Sequence, residues 1–405
     1  MDKADWLEDT SPAFRLMIAT SWLAPESWRE NQEKAIREAV GAGPDWAEYL
    51  QLVDRHQVAA LSWAAIDGVR GITVPEPVRQ KLRELSDACR IRAIEHCLML
   101  TSVLKELNRV GIPVMPLKGQ ALSFHLYGDV GLRQSADLDI AVVKEDLPRA
   151  KACLERIGWQ AEPWLSLLSP RQWEGLLAHR HDMSFERSGR GCTLELHWCG
   201  HWETPGATSG RWTRSHQSLW QGCSIQVMSP SDLTLYLCRH GDEHAWYCAK
   251  WVGDLARAHS LDLLDWKAAL DEAGRFGQEN AILAGLRLLE TLYGLPLPKD
   301  LEIKCHGTPP QLIRVPLQEL KDPVGPSAQV GPKSLWKVLR MYRYERLLWP
   351  GRSLRDRLLQ LSYCGEDFKV LSLPDSFYWA YAPLRPFLWC WRWLRQPKQE
   401  SQLMR

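Results

Sequence analysis

The 405-residue chain has no C-x-x-C spacing, no stretch of about 18 uninterrupted apolar residues and no internal repeat of fixed period. Each absence excludes something. Eleven cysteines are scattered from Cys89 to Cys390 without metal-finger spacing. The odd count and the lack of a secretory leader ahead of them argue against a disulfide framework. Small buried thiols in a reducing cytosol are the expectation. Without a long apolar run, an ordinary transmembrane helix is not expected. Excess charge is missing too. Fifty Lys and Arg against 49 Asp and Glu leave a formal net charge of +1, which does not point to nucleic acid or to an acidic substrate.

What is present suits an ordinary globular chain, with 45% hydrophobic and 24% charged residues. At roughly 150 residues per domain, two or three lobes are expected. Tryptophan is the outlier at 21 residues, many of them expected between helices or on half-exposed surfaces, because the ring is large and keeps a polar N–H.

Residues 1–88 read as an N-terminal helical region. Trp46, Tyr49, Leu50 and Val53 recur at helical spacing behind Asp45, a suitable N-cap. Pro75 and Pro77 mark a break before a helix that starts near residues 76–80. A stronger helix is expected from about Cys89 to Val110, with Ala93, Cys97, Leu100, Leu104 and Leu107 on one stripe and Gly111 as its C-terminal cap.

The texture then changes, and residues 89–200 read as the core. Strands are expected at 112–117, 137–143, 159–161, 181–187 and 192–198, with short helices at 120–127 and 146–157. Ser188-Gly-Arg-Gly191 has hairpin composition. The fold class is therefore α+β, a small mixed sheet flanked by N-terminal and C-terminal helical lobes. The C-terminal lobe spans 228–296, with long helices at 232–260 and 265–293. Residues 305–332 carry six prolines and are expected to form a loose connection. Residues 333–405 form a basic, Trp-rich helical tail.

The chemistry concentrates in the core. Side chains alternate along a strand, so Asp137 and Asp139 share one face while Leu138, Ile140 and Val142 take the other. Two such carboxylates repel unless they are exposed or a cation lies between them. Hard cations such as Mg²⁺ take carboxylate and phosphate oxygens. Lys118-Gly119 stands at a strand-to-helix turn, where glycine lets backbone approach a phosphate and helix N–H groups face it. Lys118 and Arg133 could add positive charge against a triphosphate, or pair with Asp137 or Asp129. Glu195 is the candidate third carboxylate, with Asp182 as fallback. His197 shares the face of Glu195 and suits an acceptor contact or a structural hydrogen bond.

The order strand, Lys118-Gly119, helix, Asp137-Leu-Asp-Ile140, then Glu195-Leu-His-Trp198 resembles the DNA polymerase β-like nucleotidyltransferase superfamily. Within it the chain is most similar to the bacterial family labelled "uncharacterised nucleotidyltransferase". The resemblance spans roughly residues 45–295, and Leu384-Arg-Pro386 also looks familial. It implies divalent metal, Mg²⁺ or Mn²⁺, on Asp137, Asp139 and Glu195. It implies nucleotide phosphates at Lys118, Gly119 and Arg133. Lys118-Gly119 occupies the place where many members of the superfamily have Gly-Ser. The implied reaction moves NMP from an NTP to an acceptor hydroxyl and releases pyrophosphate. Lys250, Trp251 and Asp254 resemble the family's helical lobe; Asp254 could line the cleft or pair with Lys250.

His240 and His244 lie four apart on one helical face. The hydrolase pattern H-E-x-x-H needs Glu after the first His, and Gly241 stands there, so packing is favoured over zinc. In the tail, residues 333–357 hold eight basic and two acidic residues, and 376–394 hold eight aromatics. That composition suits packing against the helical lobes, or a membrane surface or protein partner through 333–395; nucleic acid is not favoured. The rival to an enzyme is a non-catalytic adaptor that keeps the fold and binds through this tail. The expected location is cytoplasmic, with peripheral membrane contact as the variant.

Overall fold

The structure, a computed structural model, describes residues 9–187, 189, 191–198, 209–321, 335–350 and 365–395. The hairpin positions Ser188 and Arg190, the prolines at 323, 326 and 332, and the side chains of Trp389, Arg392 and Trp393 lie outside the described residues.

Four short helices open the described chain, at Pro12–Thr20, Glu26–Gly41, Trp46–Arg55 and Ala59–Gly68. Asp45 caps the third as its sequence predicts, accepting hydrogen bonds from the Ala47 and Glu48 N–H groups at 2.8 and 3.2 Å. Tyr49 and Val53 are its fully buried face.

Two helices expected on either side of residue 88 are one, Glu76–Arg109, 34 residues long. Pro75 and Pro77 mark only its start, where missing N–H groups do no harm, and no Gly or Pro follows to stop it. Its first half buries Val78, Leu82 and Cys89 in the core shared by the helical regions. Its second half buries Leu100, Leu104 and Leu107 under the sheet. Gly111 follows with φ +71°, the left-handed cap expected there.

The sheet has five strands: β1 (Met115–Pro116), β2 (Asp137–Ala141), β3 (Gln160–Ala161), β4 (Asp182–Glu186) and β5 (Thr193–His197). Their order is β1-β2-β5-β4-β3. β2 and β5 run parallel, and the other neighbouring pairs run antiparallel, so the sheet is mixed as expected. One face is apolar. Leu138, Ile140, Met183, Phe185, Leu194 and Leu196 are all buried against the 76–109 and 147–156 helices and their neighbours. A second sheet, β6 (His216–Trp220) and β7 (Cys223–Val227), closes through Gln221 and Gly222, both at positive φ. Asn108 holds it to the core by bonding both backbone groups of Ser224.

The long helix expected over 232–260 is two, Pro230–Glu243 and Ala249–Ser260. Ala245 and Trp246 both take positive φ between them, although neither is glycine. Burial of Trp246 and its hydrogen bond to Asp242 offset that strain. The 265–293 helix likewise divides, at 275–278. The loose connection expected at 305–332 contains a helix, Gln311–Lys321. Pro309 and Pro310 precede it, and buried Leu312, Val315, Leu317 and Leu320 outweigh the bond that Pro316 forgoes.

N-terminal and C-terminal helices share a single apolar core running from Ala13 to Trp349. Ser21 and Tyr293 hydroxyls meet at 2.7 Å across it. The tail folds back on the sheet domain. Phe368, Tyr381 and Leu388 pack with Trp164 and Leu168, while Gln172 bonds Tyr381 Oη at 3.0 Å. Phe377, Trp379, Phe387 and Trp391 remain exposed. Among the described residues, no helix is long and apolar enough to cross a membrane.

Candidate active site

The polar face of the sheet is built by register. Asp139 stands beside Glu195 across the parallel β2–β5 pair, and His197 stands beside Ala141. On the next strand, Ser184 opposes Glu195 and Asp182 opposes His197. Period-two alternation on three neighbouring strands therefore gathers Asp137, Asp139, Glu195, His197 and Asp182 on one face.

Asp139 is the hub. Its side chain is sealed from water, and its Oδ1 lies 3.0 Å from Lys118 Nζ and 3.3 Å from His197 Nε2. His197 Nε2 also lies 3.5 Å from Glu195 Oε2. Lys118 reaches Asp137 Oδ2 as well, at 3.5 Å. Ser135 Oγ steadies Asp137 from behind, donating to its carbonyl at 3.0 Å and its Oδ1 at 3.2 Å. The three expected carboxylates are thus brought to one face, linked through a lysine and a histidine.

The charges follow from these contacts. Burial opposes a charged Lys118, but Asp139, Asp137 and Glu195 outweigh it and hold the ammonium charged well above the usual lysine range. Burial likewise raises Asp139, but Lys118 and His197 hold its carboxyl far below the ordinary value. His197 is desolvated too, yet the hydrogen bonds to Asp139 and Glu195 push it up to about 9. Glu195 gains a stabilising bond from His197, but burial and the Asp139 charge move its carboxyl upward.

The residues expected to meet phosphate, Lys118 and Gly119, lie at the next turn. Lys118 is the N-cap of the Gly119–Tyr127 helix and makes no side-chain cap bond to it. Gly119 has φ +68°, a conformation that strains any residue with a Cβ.

Arg133 is placed differently from its expectation. It is 2% exposed, and its Nε donates to Asp254 Oδ2 at 2.8 Å. Asp254 therefore pairs with Arg133, not with Lys250. Lys250 donates to Gln57 Oε1 at 2.5 Å and to the Gln134 carbonyl at 2.9 Å, and burial beside Arg133 pushes it down to about 8. These bonds tie the 128–136 loop, which leads into β2, to the helical core. Asp129 pairs with Arg90 at 2.6 Å.

His240 and His244 pack with Trp251, ring centres 5.0 Å away in each case. A Cβ on Gly241 would lie 2.5 Å from the Trp246 ring, so Glu has no room there. Sequence reasoning missed Ser135 and Tyr236. Ser135 carries a signal, a hydroxyl two residues ahead of the strand's first aspartate. Tyr236 is a buried phenol in the electrostatic neighbourhood of Lys118 and carries none, because a helix from another segment delivers it.

Asp139, Glu195 and His197 each offer a ligand atom within 4.8 Å of the others. Asp139 Oδ2 is buried and has no hydrogen-bond partner. Carboxylate oxygens accept only, so an orphaned one here fits a cation, and the oxygen-rich donor set fits a hard divalent one.

The family described as "Uncharacterised nucleotidyltransferase" matches residues 42–294. No curated protein matches the chain. Among solved structures, the chain is similar to the antibiotic-resistance factor ANT(2'')-Ia, described as showing substrate-regulated conformation dynamics. Identity is 12%, over 45% of this chain and 94% of that one, with a TM-score of 0.34.

Proposed function

The chain belongs to the uncharacterised nucleotidyltransferase family, and from that premise we propose a metal-dependent transfer of NMP from an NTP to an acceptor hydroxyl. One observation carries the reading: a sealed Asp139 with an orphaned oxygen, flanked on one sheet face by Asp137, Glu195 and His197. Asp137, Asp139 and Glu195 would hold Mg²⁺ or Mn²⁺, and His197 would join them only after giving up the proton that its carboxylate neighbours hold on it. The bound cation would neutralise charge on the phosphates at the reacting centre.

Lys118 and the uncapped first turn at Gly119 bind the β- and γ-phosphates, and the Gly119 backbone makes the close approach. Glu195 takes the proton from the acceptor hydroxyl. The acceptor oxygen forms a bond to the α-phosphorus, the α–β bridging bond breaks, and pyrophosphate leaves with the electron pair. Arg133, committed to Asp254, holds the loop ahead of β2 and acts on the site through that loop. Lys250 secures the same loop through Gln134.

Calorimetry of Mg²⁺–NTP binding tests the assignment. Binding should vanish in an Asp137→Ala, Asp139→Ala double variant, and intact binding there overturns the metal site. Release of labelled pyrophosphate across the four NTPs and a panel of hydroxyl acceptors tests the reaction.

The exposed aromatics of the tail favour a second, compatible role, a peripheral surface contact through residues 365–395. Pyrophosphate release from no NTP with any acceptor would leave that contact, and an adaptor, as the better reading.

A further inference from the structure

One ammonium bridges the aspartate pair. Lys118 Nζ is 3.0 Å from Asp139 Oδ1 and 3.5 Å from Asp137 Oδ2, and its side chain is only 16% exposed. Two carboxylates on one strand face repel, and in this structure Lys118 supplies the charge that lets them stand together. A divalent cation held by the same two carboxylates would draw on the negative charge that Lys118 neutralises here. Ammonium and cation would therefore compete for the charge of Asp137 and Asp139.

The lysine also has somewhere to go. It is the residue immediately before Gly119, the N-cap of a nine-residue helix to which its own side chain makes no cap bond. Its four-carbon stem is flexible and its three donors rotate freely. A triphosphate at that helix end would offer the same ammonium a second set of anionic oxygens.

We propose that Lys118 is an internal counter-ion that closes the metal site in the nucleotide-free protein, and that a triphosphate opens the site by drawing the ammonium off the aspartate pair. The proposal rests on the metal-dependent reading above and adds an order to it. Metal alone binds weakly, and nucleotide and metal bind cooperatively. Linkage requires the effect to be reciprocal, so metal strengthens nucleotide binding by the same factor. The device explains how the site avoids filling with metal before a substrate arrives.

The test uses the full chain and Mn²⁺ alone, with no nucleotide and no turnover, read by electron paramagnetic resonance. Lys118→Met should bind Mn²⁺ about tenfold or more tighter than the wild-type chain, within the ordinary range of coupling between sites. Adding Asp139→Asn to that variant should abolish the gain and so locate it at the pair. Lys118→Gln gives a second reading by thermal melting. Losing the counter-ion should lower its melting temperature without metal, and Mn²⁺ should recover more of it than in the wild type. Equal Mn²⁺ affinity in the wild type and Lys118→Met, both dependent on Asp139, overturns the counter-ion and leaves the metal reading standing. No Asp139-dependent Mn²⁺ binding in any variant, with or without a non-hydrolysable NTP analogue, overturns the metal reading as well.

Discussion

Arg133 Nε donates to Asp254 Oδ2 at 2.8 Å, and both side chains are almost completely sealed from water. The pair joins the loop ahead of β2 to the Ala249–Ser260 helix, 121 residues later in the chain. Removing one partner leaves the other charge buried without its hydrogen-bonded counter-ion. Asp254→Ala or Arg133→Ala should each cost about 3–5 kcal/mol, and a joint replacement by apolar residues of similar volume should recover most of it. Urea unfolding of the two single variants and the double variant measures this. A double variant as unstable as the sum of the singles would show that the pair is not a closed unit.

Asp242 sets an alkaline cost. Burial pushes its carboxyl up to about 7, although the Trp246 and Tyr344 hydrogen bonds to Oδ1 and the charge of Arg239 pull the other way. A folded-state value above the unfolded one means that the contribution to stability is fully present below about 3.9. It is lost as pH rises through about 7. For a fully buried group the loss is on the order of 4 kcal/mol. Asp242→Asn keeps an oxygen for Trp246 and Tyr344 and should flatten stability across pH 4–7, with its largest relative gain above pH 7. Unfolding free energies at several pH values would show it, and an unchanged slope would remove Asp242 as the cause.

His56 acts at the acid end. Burial and the neighbouring Arg55 push its imidazole down to about 3, while Nδ1 accepts from the Ala249 N–H at 3.1 Å. The neutral ring is the folded form, so its contribution is present above about 6.5 and is lost as pH falls toward 3. Titration of the His56 ring by NMR should show no protonation at pH 5. A titration midpoint near 6.5 in the folded protein would contradict this.

Gly119→Ala should separate binding from folding. A Cβ there meets Ser135 Oγ at 3.5 Å, an ordinary contact, so space is not the difficulty. The strain comes from φ +68° and costs about 1–2 kcal/mol. Under the proposed reading the relaxed backbone also turns its N–H groups away from phosphate. NTP affinity should therefore fall by tenfold or more while the melting temperature drops only a few degrees, by roughly the amount expected for that cost. Equal affinity in calorimetry would argue against phosphate at this turn.

The tail makes a separate prediction. Phe377, Trp379, Phe387 and Trp391 are exposed on a segment that buries Phe368 and Tyr381. Replacing Trp379 and Phe387 by Ser should leave stability nearly unchanged and reduce co-sedimentation with anionic vesicles. A wild-type chain that ignores vesicles would rule out the lipid form of the contact.

Much of the core was legible because alternation is a strong signal. Leu138 and Ile140 behind Asp137 and Asp139, and Leu194 and Leu196 behind Glu195 and His197, assign both strands and both faces. What was not legible depends on long-range docking or on unusual backbone. Nothing in residues 128–136 indicates that Arg133 will meet Asp254. The turn at Ala245 and Trp246 has no Gly or Pro to mark it, because the buried indole does what a glycine usually does. Six prolines hid the Gln311–Lys321 helix, whose buried stripe outweighs Pro316. The sequence suits Lys118 to a phosphate or to an ion pair, and only the geometry brings its ammonium to both aspartates.

The Glu76–Arg109 helix is about 51 Å long and is shared by two apolar cores. It acts as a strut, and it leaves no hinge where two lobes were expected to part near residue 88. Opening the molecule like a pair of jaws would mean breaking a continuous helix or tearing one of the cores from it. Under the proposed reading, a nucleotide would therefore reach the polar sheet face through short-range motion of side chains and turns. A bound nucleotide should leave the spacing of the helix ends unchanged, and distance labels placed near residues 79 and 106 would report it.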